Sequence, residues 1–239
     1  MRLIHASGRY DRKVRIRRKT AKAQRGRSSL ISRTESTTAT VFRTRAFAAL
    51  RRPGKAARGD CTIEHRRKRW KRLSARVVLV SKSYRLGRRC WVLVARMRRR
   101  SDGYPLTVIT AHLPASVEGQ VARLARRMPV TLDKQGAAWV EAARGLRRVI
   151  EEERRRRPNA VLVVTADWNI NLRSKVQRDY LQSLLGDTVT LAKPDRPWAD
   201  FPGTHGRRVI DWGACSEPSV VRPEPRTAAS DHRPIRVVW

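Results

Sequence analysis

The chain has 239 residues, a length that suits one large domain, and 40% of them are hydrophobic, enough for a globular core. Its 55 basic residues exceed its 20 acidic ones and give a net charge of +35, far more than solubility requires. This excess predicts a polyanionic partner, nucleic acid before an acidic membrane surface. No apolar run approaches 18 residues, so we expect no membrane span.

The three cysteines, Cys61, Cys90 and Cys215, are irregularly spaced and form no CxxC pair. They indicate free thiols rather than a zinc site or a disulfide framework. No apolar stretch follows the basic N-terminus as it would in a signal peptide. We therefore expect an intracellular, cytoplasmic protein, and a monomer.

The positive charge is concentrated towards the N-terminus, where residues 1–75 hold 24 basic and four acidic residues. Within a single predicted domain, 1–239, residues 1–28 form a basic segment whose composition allows partial disorder. A later dense run predicts contacts with nucleic-acid phosphates, the alternative being an Arg-rich composition without a specific role. This run comprises Arg66, Arg67, Lys68, Arg69, Lys71 and Arg72. Trp70 inside it is expected to pack, with base stacking as the alternative.

Apolar runs downstream predict strands over residues 76–80, 90–97 and 106–111, in an antiparallel meander. A helix is predicted over 135–157, because apolar residues recur at helical spacing and Pro158 follows. The continuous apolar run 160–165 predicts a fully buried strand. Residues 179–185 predict a short helix, and 208–212 and 234–239 the last two strands. Mixed strands and helices without strict alternation favour a layered α/β sandwich.

Polar residues with chemical potential fall at the boundaries of these predicted strands. One follows the run LTVITA, two follow AVLVVT, one ends the strand RRVID, and two precede the last strand. Each alone is typical of a cap or turn, but four such motifs in this order favour a site. The residues concerned are His112, Asp167, Asn169, Asp211, Asp231 and His232.

The order of these motifs, H-L-P, A-D-W-N, I-D and S-D-H-R-P, resembles the endonuclease/exonuclease/phosphatase superfamily. The resemblance covers about residues 76–239, and S-D-H-R-P before a final strand is its most specific part. It implies a four-layer α/β/β/α sandwich of the deoxyribonuclease I-like type. It also implies hydrolysis of a phosphoester with Mg²⁺ (or Mn²⁺).

The resemblance implies a catalytic role for five residues. His232 would be the general base or polarise the phosphate, and Asp211 would orient its imidazole. Asp167 would orient or deprotonate the attacking water, and Asn169 would hold a phosphate oxygen. His112 would contact the phosphate or the leaving group.

Asp231 is a hard oxygen donor suited to Mg²⁺. The family also has an Asn after its first strand and a metal-binding Glu after a later one. Here no Asn precedes Asn159, and Ser7 or His5 lies in that neighbourhood. Residues 29–35 resemble the strand that leads to the metal ligand, so Glu35 is the candidate, an exposed surface Glu being the alternative.

Three functions remain open on the sequence: a nuclease acting on DNA or RNA, a phosphatase or phospholipase-type phosphoesterase, and a non-catalytic nucleic-acid-binding homologue. The charge favours the nuclease, and joint retention of the six polar residues argues against a decayed site. Of the remaining histidines, His65 is expected on the basic surface. His205, six residues before Asp211, is a weaker candidate for the border of a substrate groove.

Overall fold

The computed structural model describes residues 1–6, 22–34, 47–51, 61–82, 90–226 and 230–239, and they build two β-sheets with helices outside. The first sheet has seven strands in the order β10-β12-β13-β1-β2-β4-β3. Its strands are β1 (Arg2–Ala6), β2 (Leu30–Thr34), β3 (Phe47–Arg51), β4 (Cys61–Arg66), β10 (Lys193–Pro194), β12 (Val220–Pro223) and β13 (Ile235–Val238). In its centre β1 pairs in parallel with β2 and antiparallel with β13.

The second sheet has six strands in the order β5-β6-β7-β8-β11-β9. Its strands are β5 (Trp70–Ser81), β6 (Cys90–Arg99), β7 (Pro105–His112), β8 (Val161–Asp167), β9 (Thr190–Leu191) and β11 (Asp211–Cys215). β5, β6 and β7 form the predicted antiparallel meander. β7 and β8 are parallel, and β11 runs antiparallel to β8.

Three helices pack on the second sheet: α1 (Glu118–Ala125), α2 (Lys134–Arg156) and α3 (Lys175–Leu185). The long helix α2 is capped at its N-terminus by Asp133, whose side chain accepts hydrogen bonds from the amides of Gln135 and Gly136. Its apolar stripe, which includes Trp139, Leu146 and Ile150, is fully buried. None of the helices in the described part of the chain combines the length and apolarity needed to cross a bilayer.

The two sheets face each other across an apolar core that both contribute to. Leu3, Leu30 and Ile63 come from the first sheet, and Val108 and Val163 come from the second. A polar contact crosses the same interface, where Ser32 and Thr165 share a hydrogen bond of 2.7 Å. On the outer face of the first sheet, Arg25 of the helical segment 22–27 binds Glu64 of β4. The predicted layered α/β sandwich is confirmed.

Several predicted elements differ from the structure. The expected strand over 208–212 is wrong, because β11 begins at Asp211 rather than ending near it. β5 starts at Trp70, six residues earlier than predicted. Residues 71–75 are all exposed, and yet Lys71, Arg72, Ser74 and Ala75 pair with β6. Strands β4 and β12 and helix α1 were not predicted. Within the basic segment 1–28, residues 2–6 form the central strand β1.

Candidate active site

Three adjacent strands bring three predicted residues side by side. His112 ends β7, Asp167 ends β8 and Asp211 begins β11, and the register pairs His112 with Asp167 and Asp167 with Asp211. Because β11 is antiparallel to β8, its first residue lies at the same edge of the sheet as the last residue of β8. The sheet therefore places an imidazole and two carboxylates in one row.

The fourth element of the site comes from the opposite sheet. His232, just before β13, donates from Nδ1 to Asp211 Oδ2 at 2.9 Å, and the same nitrogen lies 3.9 Å from Asp167 Oδ2. Asp211 is fully buried and His232 nearly so. The backbone of Asp211 is fixed by the Thr204 hydroxyl, which accepts from its amide at 3.1 Å. These contacts join the ends of both sheets into one rigid unit.

Electrostatics within this pair favour a protonated imidazole. Burial alone lowers the pKa of His232, but the hydrogen bond to Asp211 and the charges of Asp211, Asp167 and Asp231 raise it to about 9. Burial likewise disfavours the charged form of Asp211, yet its hydrogen bond with His232 holds the pKa of that carboxyl well below its usual range. The pair therefore carries an imidazolium and a carboxylate at neutral pH.

Asp167 is held in one orientation by its neighbours. Its Oδ1 accepts the amide of Asn169 at 3.1 Å, while Oδ2 lies 3.7 Å from His112 Nε2 and 3.9 Å from His232 Nδ1. Asn169 adopts a left-handed conformation with φ +54°, which Asn tolerates better than most residues. Its side-chain amide donates to Leu113 O at 2.8 Å. The loop after β8 thus ties Asp167 to the end of β7.

Trp168, between these two residues, is fully buried, and its carbonyl accepts from Trp139 Nε1 of α2 at 2.8 Å. This agrees with the expectation that it packs beneath the site. The loop is consequently anchored to the helical layer as well as to the sheet.

A histidine occupies the first-strand position where the family pattern led us to look for Asn. His5 in β1 is fully buried, its Nδ1 lies 2.9 Å from Ser32 Oγ, and its Nε2 lies 3.6 Å from Asp211 Oδ1. Ser32 in turn shares its hydrogen bond with Thr165. Asp211 therefore lies between two imidazoles: His5 faces its Oδ1 and His232 binds its Oδ2. Ser7 lies outside the described residues.

His205 and Asp231 border the site on its solvent side. The rings of His205 and His232 lie 4.6 Å apart between centroids, and His205 Nε2 lies 3.8 Å from Asp231 Oδ2. Arg208 Nη2 lies 3.0 Å from His205 Nδ1. Burial, with the charges of His232 and Arg208, lowers the pKa of His205. The weakest sequence candidate is thus part of the cluster, and its position shortly before Asp211 was its only signal.

The carboxylates at this edge fit a hard cation better than a soft one. Two groups of residues offer ligand atoms within 4.8 Å of one another: His205, Asp231 and His232, and Asp167, Asp211 and His232. Mg²⁺ prefers oxygen, and Asp211 is engaged by His232, so Asp231 is the suitable donor of the first group and Asp167 that of the second. The Asp231 side chain is 49% exposed, which leaves room for the waters that Mg²⁺ keeps. Glu35, the other predicted ligand, lies outside the described residues.

The predicted nucleic-acid-binding run lies elsewhere. Arg66 ends β4, Arg67 to Arg69 form the turn, and Lys71 and Arg72 lie at the start of β5. These strand ends are opposite to those that carry His112, Asp167 and Asp211. Trp70 packs in the core and is only 3% exposed, so base stacking is excluded for it in this conformation.

The expectation that His65 lies on the surface is wrong. It is buried within β4, where burial and Arg72, Arg67 and Arg100 lower its pKa to about 4.

The sequence matches no protein-family model and no curated protein. Solved structures match over the whole chain. A mannosyl-6-phosphatase of Bacteroides thetaiotaomicron aligns with a TM-score of 0.71 and 13% identity, covering 100% of this chain and 98% of its own. An endonuclease/exonuclease/phosphatase family protein of the same organism aligns at 0.68 and 12%, covering 99% and 96%. D. rerio TDP2 in complex with a single-stranded DNA product aligns at 0.64 and 13%, covering 99% and 97%.

These similarities establish the fold. The chain has the four-layer α/β/β/α sandwich of the endonuclease/exonuclease/phosphatase superfamily, the deoxyribonuclease I-like fold. The predicted fold class and the resemblance on which it rested are confirmed.

Proposed function

We propose that this protein is a metal-dependent phosphodiesterase that hydrolyses nucleic acid. The observation that carries the proposal is the row of His112, Asp167 and Asp211 across three strands, joined to His232 by a hydrogen bond of 2.9 Å. Phosphodiester hydrolysis needs an oriented water, neutralisation of the phosphoryl oxygens and help for the leaving oxygen. This row offers one group suited to each requirement.

Asp167 positions the attacking water through Oδ2, because Oδ1 is already engaged by the amide of Asn169. His232 presents its Nε2–H to a phosphoryl oxygen, since Nδ1 is held by Asp211 and that carboxylate stabilises the imidazolium. His112, partly exposed beside Asp167, is placed to contact the phosphate or the leaving oxygen. Asn169 keeps a second side-chain N–H for a phosphate oxygen, because only one is needed by Leu113.

Asp231 would hold the Mg²⁺ or Mn²⁺, with Glu35 as a further predicted ligand, and Asp167 offers an oxygen in the neighbouring group of potential ligands. When bound, the cation supplies positive charge to the phosphoryl oxygens as negative charge develops there. His205 lies beside Asp231 and at van der Waals distance from the His232 ring, so it borders the space a substrate would enter.

Nucleic acid is favoured as substrate by charge. A net charge of +35 suits a polymer with one phosphate per nucleotide, whereas a small phosphoester requires no such excess. This charge would also concentrate a polyanion around the proposed hydrolytic site.

A phosphatase is the second candidate, because a mannosyl-6-phosphatase aligns over 98% of its length with a TM-score of 0.71. The same geometry can serve a phosphomonoester, in which case inorganic phosphate is the product. The remaining alternative is a non-catalytic nucleic-acid-binding homologue, for which binding without turnover is expected.

One set of assays distinguishes the three candidate functions. The purified chain is incubated with supercoiled plasmid, linear duplex, single-stranded RNA and mannose 6-phosphate, each with Mg²⁺ or with EDTA. We expect cleavage of at least one polymer with Mg²⁺, none with EDTA, and little inorganic phosphate. The matched control is Asp167→Asn, which keeps the shape of the side chain and should abolish cleavage. Phosphate release without polymer cleavage would instead identify a phosphatase, and binding without any turnover would identify the non-catalytic homologue.

A further inference from the structure

A basic cavity lies at the edge of the sandwich opposite to the candidate active site. Its volume is about 420 Å³, and it opens where β1, β2 and β5 begin and where β4, β6 and β13 end. None of the described residues that line it is acidic. Six of them are arginines: Arg2, Arg25, Arg27, Arg66, Arg69 and Arg99.

The wall of the cavity is held by hydrogen bonds between strands as well as by side chains. The amide of Arg66 donates to Ser29 O at 2.9 Å, and Trp70 Nε1 donates to Ser29 Oγ at 3.2 Å. Trp70 also pairs with Arg99 across β5 and β6. The wall is thus rigid, which lowers the entropy lost when a ligand binds.

Only part of its positive charge is balanced. Arg25 binds Glu64 at 2.9 Å and Arg27 binds Glu224 at 2.9 Å, while Arg99 binds Asp102. Those three carboxylates lie outside the lining and orient the guanidinium groups from behind. Within the described part of the chain, no carboxylate partner is found for Arg2 or Arg69. Arginine forks match the oxygens of phosphate, so the cavity suits a phosphate-bearing ligand.

The positive surface continues beyond the cavity. The turn that carries Arg69 also carries Arg67 and Lys68, both exposed, and Arg100 donates from Nε to Arg67 O at 2.9 Å. Lys71 follows on β5 and is exposed as well. A single small anion would be bound within the cavity, whereas a chain of phosphates would also contact this extended positive surface.

The cavity is separate from the catalytic row. Strand β7 has eight residues, so its two ends lie about 23 Å apart. Pro105 at its start pairs with Arg98, beside the cavity-lining Arg99, and His112 at its end belongs to the catalytic row. A ligand in the cavity therefore cannot touch the reacting groups.

We propose that this cavity binds the phosphate backbone of the nucleic-acid substrate at a second anchoring point, remote from the bond that is cut. This proposal rests on the proposed function for the identity of the ligand. A separation of about 23 Å corresponds to about seven base pairs at 3.4 Å each, so only longer substrates reach both sites. The second site raises affinity for those substrates and leaves the chemical step unchanged.

The test compares two double variants that remove the same charge. Arg2→Gln with Arg69→Gln alters the cavity, and Arg148→Gln with Arg155→Gln alters exposed positions on α2. Binding of a labelled 20-base-pair duplex and of a 20-nucleotide single strand is measured by fluorescence anisotropy in EDTA, at several salt concentrations. We expect the cavity variant to raise Kd about tenfold and to flatten the salt slope by about two, and the control to change Kd by less than twofold.

Two further measurements keep the outcomes distinct. Hydrolysis of bis(p-nitrophenyl) phosphate, which is too short to reach the cavity, should be equal in wild type and cavity variant. Equal loss of binding in both double variants would overturn the proposal, because general charge would explain it. The second measurement is the binding of pyrophosphate to wild type and cavity variant. If the cavity variant lost pyrophosphate binding but bound both oligonucleotides as wild type does, the proposal would also be overturned, because the cavity would then be a site for a free anion. If the protein cleaves no polymer, the proposed function fails, yet the anisotropy comparison still decides whether the cavity binds nucleic acid.

Folding is checked by circular dichroism and Tm. Should the double variant be unstable, Arg69→Gln alone suffices, because Arg69 lies in an exposed turn. Its expected change in salt slope is about one. An unchanged slope in that folded variant overturns the proposal.

Discussion

The imidazole of His5 faces the carboxylate of Asp211 inside the sandwich, with His5 Nε2 3.6 Å from Asp211 Oδ1. On its other side His5 contacts Ser32, which is linked to Thr165 of the second sheet. Because Asp211 Oδ2 binds His232, the carboxylate is approached by an imidazole at each oxygen. A buried polar chain thus runs from the core between the sheets to the catalytic row.

We expect His5→Phe to lower both stability and turnover. The substitution keeps an aromatic ring but removes the imidazole that contacts Ser32 Oγ and faces Asp211 Oδ1, at a cost of roughly 1–3 kcal/mol. The looser Asp211 should reduce kcat about tenfold with little change in KM. Urea unfolding and steady-state kinetics measure the two effects. If kcat is unchanged while stability falls, His5 supports the fold alone and does not position Asp211.

The gathering of the candidate site residues could be expected because four motifs with such residues follow one another, each at a strand boundary. His112, Asp167 and His232 each adjoin an apolar run, and strand ends at one edge of a sheet meet in space. The bounds of β11 could not be read in the same way. Short runs with apolar residues lie on both sides of Asp211, and the sequence does not show which of them pairs in the sheet. Asp211 was therefore expected to end the strand that it begins.

The N-terminal half was less predictable because it buries charged residues. Arg33 and Glu64 are fully buried and paired at 2.5 Å, and His65 is almost fully buried, so β4 looks like a surface segment in sequence. Burial of such residues depends on partners far apart in the chain. Helix α1 was missed for another reason, since it has only eight residues and Val121 is its only buried one, which is too little for a helical periodicity.

Metal dependence should be most sensitive at Asp231. Asp231→Asn removes one negative oxygen donor, so we expect the Mg²⁺ concentration for half-maximal activity to rise at least ~10-fold. Asp200→Asn, an equal change at an exposed position that belongs to neither group of potential ligands, is the control. Activity is titrated with Mg²⁺ after treatment with EDTA. An unshifted titration would show that Asp231 is not a metal ligand.

His65 should make stability depend on pH. Its pKa is about 4 in the folded protein against about 6.5 in the unfolded chain, so the unfolded state binds a proton first as pH falls. The stability that neutral His65 contributes is present above pH ~6.5 and is lost as the pH falls to ~4. The shift corresponds to at most roughly 3 kcal/mol, reduced by solvent screening.

His65→Gln, which cannot titrate, should lose less stability than wild type between pH 7 and 4. Urea unfolding at a series of pH values measures the difference, and carboxylates that titrate in both proteins cancel in the comparison. Parallel curves would mean that His65 titrates normally in the folded state.

Packing between α2 and β5 can be tested at a glycine. A Cβ on Gly145 would lie 2.4 Å from Val80 O, a backbone atom that cannot move aside, whereas a Cβ on the exposed Gly119 of α1 meets nothing within 4 Å. Gly145→Ala should therefore destabilise by roughly 1–3 kcal/mol. Gly119→Ala should stabilise by up to about 1 kcal/mol, because Ala favours the helix. Equal effects in urea unfolding would place α2 farther from β5.

The pair of Asp211 and His232 allows the sharpest test of the site. If Asp211 acts by orienting His232 and stabilising its charged form, Asp211→Asn should keep the fold and reduce kcat/KM. His232→Ala should reduce it by ~10²–10⁴. Because both residues serve one function, the double variant should be little worse than His232→Ala alone. Multiplicative losses in proteins that fold normally by circular dichroism would mean that Asp211 acts independently, and its 2.9 Å contact with His232 would then be structural.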